Sequence, residues 1–242
     1  MSASAGFGVG AGGLSALEFM AGRTAPLRLV IFDCDGVLAD SEPLANRVTA
    51  EMISREGWPI TAAEAEARFV GLNLEAMVPV IEKELGRPLG ADWVERLTTR
   101  LIEVFGRELR EIPGAVAAMR AISVLGVPWR VASNSTHQEM AAKFSAMGVS
   151  ALVAGRVHSY TDVARGKPAP DLFLTAALAE AVSPAECVVI EDSVTGARAA
   201  AAAGMPCLGF APDGGHPGLQ AQGARLFGSM FDLPGLIAAA PR

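Results

Sequence analysis

The sequence predicts an α/β protein: a doubly wound parallel sheet interrupted by one inserted helical segment. Three features indicate this fold: an early apolar strand that stops at a Gly, a charge-rich helical stretch after it, and strands alternating with helices over the rest of the chain. Alternating strands and helices form parallel sheets, because a right-handed crossover packs each helix back onto the sheet. The 242 residues suffice for one large domain or for a core with one inserted module.

The first predicted strand is the apolar run over residues 27–32, which ends in the turn Asp33 to Gly36. Its length and its Gly are typical of a strand buried on both faces. The residues before it are rich in Ala, Gly and Ser, and none is basic before Arg23. They lack the positive region and the compact apolar core of a secretory signal. We therefore predict a flexible N-terminal tail over residues 1–25.

The inserted segment covers residues 43–110, which hold 9 Lys/Arg and 11 Asp/Glu. Its apolar residues recur at helical spacing, as at Leu97, Leu101 and Val104. Since no strand-like alternation occurs there, we predict a helical cap over 43–110. The remaining residues, 26–42 and 111–242, are predicted to form the core.

Beyond Pro113 the sequence alternates between helix and strand. Helices are predicted over residues 114–125, 136–147, 170–182 and 194–203. Strands are predicted over residues 127–132, 152–157, 187–190 and 206–210.

The composition excludes several classes of protein. With 51% hydrophobic and 19% charged residues, the chain is not intrinsically disordered over most of its length. A net charge of −6 provides no basic surface for nucleic acid, and the apolar stretches are too short to span a membrane. Three widely spaced Cys residues indicate a reducing compartment. We predict a cytoplasmic protein, either a monomer or a weak homo-oligomer, without nucleic-acid or membrane partners.

Polar residues follow several predicted strands, at the edge where a doubly wound sheet binds its ligands. These residues are Asp33 and Asp35 after the first strand, Ser133 and Asn134 after the second, and Glu191 and Asp192 after the strand at 187–190. A loop before that last strand carries Lys167 between a Gly and a Pro. If the sheet is as predicted, all these groups meet at one edge.

The four carboxylates in this set require a cation. Two like charges about 4 Å apart repel by about 4 kcal/mol at an effective dielectric of 20. Oxygen ligands without a neighbouring His or Cys favour a hard ion, and Mg²⁺ is the usual one beside phosphate. With Mg²⁺ and Lys167 the cluster keeps about one negative charge, so an incoming phosphoryl group depends on both cations.

The same residues can carry out phosphoryl transfer. Either Asp33 or Asp35 can attack phosphorus to form an aspartyl phosphate, while the other protonates the leaving oxygen and later activates water. Ser133 and nearby backbone N–H groups can hold phosphoryl oxygens, and Lys167 can neutralise their charge.

Taken together, these segments resemble the four motifs of the haloacid dehalogenase superfamily. The segments are Asp33-Cys34-Asp35-Gly36-Val37-Leu38, Ser133-Asn134, Lys167-Pro168 and Glu191-Asp192-Ser193. They occur in the family's order, and the resemblance covers about residues 27–236. It implies a Rossmann-like core with a helical cap inserted after the first motif.

The resemblance also implies a role for each residue. Asp33 corresponds to the nucleophile and Asp35 to the general acid/base. Ser133 and Lys167 correspond to the phosphate-binding pair, with Asn134 as a further substrate-binding candidate. The implied Mg²⁺ ligands are Asp33, the backbone carbonyl of Asp35, and Asp192, with Glu191 as a direct or outer ligand.

Within the superfamily, residues 33–42 and 68–77 are most similar to the β-phosphoglucomutase-like phosphatases. Asp35 favours a phosphoryl leaving group, because the founding dehalogenases lack this acid. A mutase must hold a second phosphate in its cap, but the positions of its basic cap residues are Val70 and Leu74 here. We therefore predict a Mg²⁺-dependent phosphatase of a small phosphorylated metabolite, either a sugar phosphate or a sugar-acid phosphate.

Two alternatives stay open. One is a β-phosphoglucomutase-type sugar phosphomutase. The other is a non-catalytic phosphate-binding or signalling protein on the same scaffold. Receiver-type signalling domains are about half this length and have no inserted cap, and a protein that only binds phosphate is expected to lose Asp33 or Asp35.

Overall fold

The computed structural model describes residues 14–69 and 72–242. Its centre is a six-stranded sheet in which all paired strands are parallel, in the order β3-β2-β1-β4-β5-β6. The strands are β1 (Leu29–Phe32), β2 (Trp129–Ser133), β3 (Val157–Ser159), β4 (Cys187–Glu191), β5 (Cys207–Phe210) and β6 (Arg225–Phe227). The order reverses beside β1, so β2 and β4 flank it, and the predicted doubly wound sheet is confirmed.

Twelve α-helices accompany this sheet within the described residues. They are α1 (Ala16–Ala21), α2 (Glu42–Arg55), α3 (Ala62–Phe69), α4 (Leu74–Leu85), α5 (Trp93–Glu108), α6 (Ala115–Val124), α7 (His137–Ala146), α8 (Ser150–Val153), α9 (Asp171–Ala179), α10 (Val194–Ala202), α11 (Pro217–Ala221) and α12 (Leu233–Ala238). Short 3₁₀ helices cover Tyr160–Asp162 and Pro184–Glu186.

The core lies on both faces of the sheet, because successive side chains of a strand point to opposite faces. In β1, Val30 and Phe32 join one apolar cluster, whereas Leu29 and Ile31 join the other. All four residues are buried, which explains why this strand is a continuous apolar run in the sequence.

Helices α2 to α5 lie between β1 and α6, as the helical spacing predicts. The longest of them, α5, buries one apolar face that includes Trp93 and Phe105, and it packs against α7 of the core. The two connections to the core run side by side: the amide of Asp40 donates to the carbonyl of Arg110, and the amide of Ile112 donates to that of Leu38. The boundaries of the cap, 43 and 110, stay a prediction.

The N-terminal segment differs from the predicted flexible tail. Residues 1–13 lie outside the described part of the chain. Residues 16–21, however, form α1, which begins with a capping box between Ser15 and Glu18. Met20 is fully buried, and α1 packs against α12 and β6. The expectation of a flexible tail is therefore wrong for residues 14–25, because the buried side chain of Met20 anchors α1 to the core.

The strand predicted over residues 152–157 is also wrong, except at its last residue. Leu152 and Val153 belong to the short helix α8, and β3 begins only at Val157. Gly155, with a φ of 73°, lies between the two elements and allows the chain to turn. Periodicity cannot separate helix from strand in an apolar run this short.

No helix among the described residues combines the length and the apolar character needed to cross a membrane.

Candidate active site

The candidate site begins where β1 ends. The amide of Asp33 donates to the carbonyl of Ile190 at 2.9 Å, which extends the β1–β4 pairing by one residue and fixes this carboxylate at the sheet edge. Gly36 then turns the chain with a φ of 74°. A Cβ on Gly36 would lie 1.8 Å from Oδ2 of Asp192, so only glycine allows the turn after β1 to approach Asp192 this closely.

Lys167 connects two of the predicted carboxylates. Its Nζ lies 2.6 Å from Oδ1 of Asp33 and 2.6 Å from Oε1 of Glu191, and all three side chains are almost completely buried. Charge-assisted hydrogen bonds of this length hold the lysine and both acids in one arrangement. The structure thus brings the predicted residues from β1, the 166–168 loop and β4 together.

Burial shifts the ionisation of this cluster. The pKa of Asp33 is raised to about 7, first by burial and then by the charges of Glu191 and Asp35, although Lys167 acts in the opposite direction. Burial also raises the pKa of Asp192 well above its ordinary value, reinforced by the charges of Glu191 and Asp33. These carboxylates therefore lie in a strongly negative environment that a cation would relieve.

The residues present fit a divalent metal ion. Asp33, Glu191 and Asp192 each offer an oxygen within 4.8 Å of the others. Three carboxylates and the ammonium of Lys167 leave two negative charges, and hard oxygen donors are those that Mg²⁺ prefers. The carboxylate of Asp35 is not in this group, so a contribution from Asp35 would come through its backbone, as the sequence resemblance implies.

Within that group, Glu191 is the most constrained residue. Its Oε1 accepts from Lys167, and its Oε2 accepts from the amide of Asp192 and from both the amide and the hydroxyl of Ser193. Gly196 in α10 makes room for it, since a Cβ there would lie 1.7 Å from Oε1. This arrangement favours a positioning role for Glu191 over a direct metal bond.

Asp35 has a different environment from Asp33. Its Oδ1 accepts from Lys143 at 2.5 Å and from Ser41, and its Oδ2 accepts from Ser135 at 2.8 Å and from Ser133 at 3.2 Å. Burial alone would raise the pKa of Asp35, but the charge of Lys143 and the hydrogen bonds from Lys143, Ser41 and Ser135 lower it to about 2. Asp35 is therefore ionised in this arrangement.

Asn134 is predicted to bind substrate, but its side chain hydrogen-bonds to the backbone of the loop that carries Lys167. Its Nδ2 donates to the carbonyl of Lys167 at 3.0 Å, and its Oδ1 accepts from the amide of Lys167 at 2.9 Å. A Cβ on Gly166 would lie 2.7 Å from Oδ1 of Asn134. The side chain of Asn134 thus positions Lys167 by clamping its backbone.

The family model for haloacid dehalogenase-like hydrolases matches residues 27–204, about three quarters of the chain. The chain belongs to the haloacid dehalogenase-like hydrolases. This membership confirms the resemblance inferred from the four motifs and the prediction that the chain is an enzyme of the hydrolase class.

Two relatives of this hydrolase are named as phosphatases of phosphorylated sugars or sugar derivatives. It is 31% identical over 188 residues to the 6-phosphogluconate phosphatase of Escherichia coli (strain K12), covering 77% of this chain and 84% of that protein. It is 29% identical over 179 residues to hexitol phosphatase A of the same organism, covering 72% of this chain and 78% of that protein.

Solved structures show the same fold. A haloacid dehalogenase-like protein of unknown function from Agrobacterium tumefaciens str. C58 superposes with a TM-score of 0.73 at 34% identity, covering 88% of this hydrolase and 98% of that chain. The predicted Rossmann-like core with a helical insertion is confirmed by this likeness and by the sheet order.

The sequence prediction missed three residues of this hydrolase's site: Ser41, Ser135 and Lys143. Ser41 and Ser135 lie beside predicted motifs, but as ordinary turn residues they carry no signal of their own. For Lys143 there was a signal, because it shares a helical face with Met140 and Phe144, and a lysine in an apolar stripe needs a buried partner.

Val70, one of the two positions at which a mutase carries a basic cap residue, lies outside the described residues. Leu74 is described, begins α4, and contributes an apolar side chain to the cavity beside Asp35.

Proposed function

We propose that this hydrolase is a Mg²⁺-dependent phosphatase of a small phosphorylated metabolite, acting through an aspartyl phosphate on Asp33. The observation that supports this most strongly is the ion-paired arrangement of Asp33, Lys167 and Glu191 at the sheet edge. It combines a nucleophile with a cation that can stabilise phosphoryl oxygens.

In the first proposed step, an oxygen of Asp33 attacks phosphorus, and the bond from phosphorus to the leaving oxygen breaks. Lys167 offsets the negative charge of the phosphoryl oxygens, and the Asn134 clamp holds its backbone in place. Bound Mg²⁺, held by Asp33 and Asp192 with support from Glu191, would supply further charge neutralisation. In the second step, water attacks phosphorus, the bond from phosphorus to the Asp33 oxygen breaks, and inorganic phosphate and the free Asp33 carboxylate result.

Asp35 is proposed to handle the protons of both steps. The lowered pKa of Asp35 keeps its carboxylate ionised beside Lys143, and the ionised form is the one that can accept a proton from the attacking water. Protonation of the leaving oxygen in the first step requires Asp35 to carry a proton, and hence to weaken its contact with Lys143. The hydroxyl groups of Ser41 and Ser135 can hydrogen-bond to Asp35 whether it is protonated or ionised, because a hydroxyl can both donate and accept.

The test is turnover of p-nitrophenyl phosphate and a panel of sugar phosphates by wild type and the Asp33→Asn variant, with Mg²⁺. We expect kcat to fall about a thousandfold or more, because the amide cannot form the covalent intermediate. Asp232→Asn, an exposed carboxylate at the start of α12, is the matched control. Near-wild-type turnover by Asp33→Asn would exclude the mechanism.

The same panel should include glucose 1,6-bisphosphate to distinguish a phosphatase from a phosphomutase. A phosphatase releases inorganic phosphate without needing this compound. Turnover of a sugar monophosphate that depends on the bisphosphate, and yields an isomeric monophosphate, would indicate the mutase instead.

A further inference from the structure

A cavity of about 270 Å³ adjoins the site and is lined by residues of the sheet edge and of helices α2 to α5. Asp35 and Lys143 border it on the side of the sheet, and Glu42, Glu66 and Glu75 belong to helices α2, α3 and α4 around it. Its volume is below the roughly 300–1,000 Å³ of drug-sized pockets, so it suits a small ligand. Because it opens onto Asp35, it is the space that the leaving group of a phosphate ester would fill.

The described residues that line this cavity carry an excess of negative charge. Five of them are acidic, whereas Lys143 is the one basic residue among them. Lys143 already pairs with Asp35. Glu139 uses one carboxylate oxygen to accept the amide and the hydroxyl of Thr136, but it remains an anion. No free cation therefore faces the cavity from the described lining residues.

The other three acids, Glu42, Glu66 and Glu75, have no ion-pair partner among the described residues. All three side chains are solvent-exposed, so their charges act on whatever enters the cavity. The pKa of Glu42 is raised, first by partial desolvation in the cavity wall and then by the charges of Asp35 and Glu66, which shows how negative this region is.

We infer that this cavity selects phosphate esters whose leaving group carries hydroxyl groups and no negative charge. The inference rests on the proposed phosphatase function and narrows its substrate class to polyol or neutral sugar phosphates. A carboxylate or second phosphate on the leaving group would meet three unpaired carboxylates and no free cation. Hydroxyl groups, in contrast, donate hydrogen bonds to carboxylates, and Asn46, Thr49 and Thr98 offer further polar partners.

A matched pair of substrates tests this selection. Sorbitol 6-phosphate and 6-phosphogluconate share one carbon chain and differ at C1, which is a hydroxymethyl group in the first and a carboxylate in the second. We expect kcat/KM to be about tenfold or more higher for sorbitol 6-phosphate at low salt. Because the side chains of Glu42, Glu66 and Glu75 are solvent-exposed, added NaCl should reduce the ratio of the two kcat/KM values. An equal or higher value for 6-phosphogluconate would overturn the inference.

Variants in which glutamine replaces a glutamate test whether the cavity glutamates cause this substrate preference. In the double variant Glu66→Gln/Glu75→Gln, the ratio of the two kcat/KM values should fall to about threefold or less, mainly because KM for 6-phosphogluconate decreases. Glu95→Gln removes an exposed α5 carboxylate that does not line the cavity, and it should leave the ratio unchanged. A ratio that does not change in the double variant would contradict the assignment.

Turnover of p-nitrophenyl phosphate separates the inference from the function on which it rests. Wild-type enzyme that hydrolyses no phosphomonoester with Mg²⁺ would overturn both. Wild-type enzyme that hydrolyses p-nitrophenyl phosphate and prefers 6-phosphogluconate would overturn the substrate class alone and leave the phosphatase proposal intact.

Discussion

At the scale of single residues, two aspartates separated by one position acquire opposite properties. Asp33 is buried among carboxylates, which raises its pKa. Asp35 is also buried, but the charge of Lys143 and the hydrogen bonds from Lys143, Ser41 and Ser135 lower its pKa. The difference arises because Lys143 projects from α7, a helix whose position in the sequence is remote from β1. The structure therefore separates a candidate nucleophile from a candidate acid/base by their environments.

The Lys143–Asp35 pair provides a residue-scale prediction. Lys143→Met should lower the free energy of unfolding by about 3 kcal/mol, because it leaves the Asp35 carboxylate without its cation. Adding Asp35→Asn should recover part of that loss, since a neutral amide needs no counter-charge. Urea unfolding of the two single variants and the double variant measures this coupling.

Lys83→Met, which removes an exposed lysine of α4, is the control and should change stability by no more than about 0.5 kcal/mol. Strictly additive effects of Lys143→Met and Asp35→Asn would show that the pair contributes no coupling energy.

At the scale of elements, α1 is the clearest departure from the sequence prediction. Met20 is fully buried between α1 and the core, while Leu17 on the same helix is about half exposed. Met20→Ala should destabilise the protein by about 2–5 kcal/mol, whereas Leu17→Ala should change stability by about 0.5 kcal/mol or less. Thermal unfolding of both variants checks this. A flexible tail would instead make both substitutions silent.

The elements also show which parts of the fold were predictable. Buried strands such as β1 and β4 are visible as apolar runs, and the motifs that follow them lie at the sheet edge because parallel strands end together. The start of β3 was not predictable, because a short apolar run fits helix and strand equally. The apolar helical face around Lys143 indicates that this lysine is buried, but its pairing with Asp35 depends on how α7 packs in the fold, which no local pattern contains.

At the scale of the whole molecule, the acidic cluster should link stability to pH and Mg²⁺. The pKa of Asp33 is about 7 in the folded chain, against an ordinary value of 3.8. The metal-free folded state thus holds a proton that the unfolded state releases, and this contribution to stability is lost as pH rises from about 4 to about 7. Mg²⁺ should restore stability where the carboxylates are ionised.

The expected result is a larger Mg²⁺-induced rise in Tm at about pH 8 than at about pH 6, because protons compete with the metal at the lower pH. Differential scanning fluorimetry with and without MgCl₂ measures this rise. In the Asp33→Asn variant the pH dependence of the rise should be smaller. Equal rises in Tm at both pH values for the wild-type protein would contradict the proposed link.

The central claim is that Asp33 is the residue that receives the phosphoryl group. The most direct measurement is rapid acid quenching of the wild-type enzyme during turnover of a phosphate-labelled substrate, followed by peptide mapping. The account predicts label on the peptide that contains Asp33, released by hydroxylamine as expected for an acyl phosphate, and none in Asp33→Asn. Label on a different residue, in an enzyme that turns over normally, would contradict it.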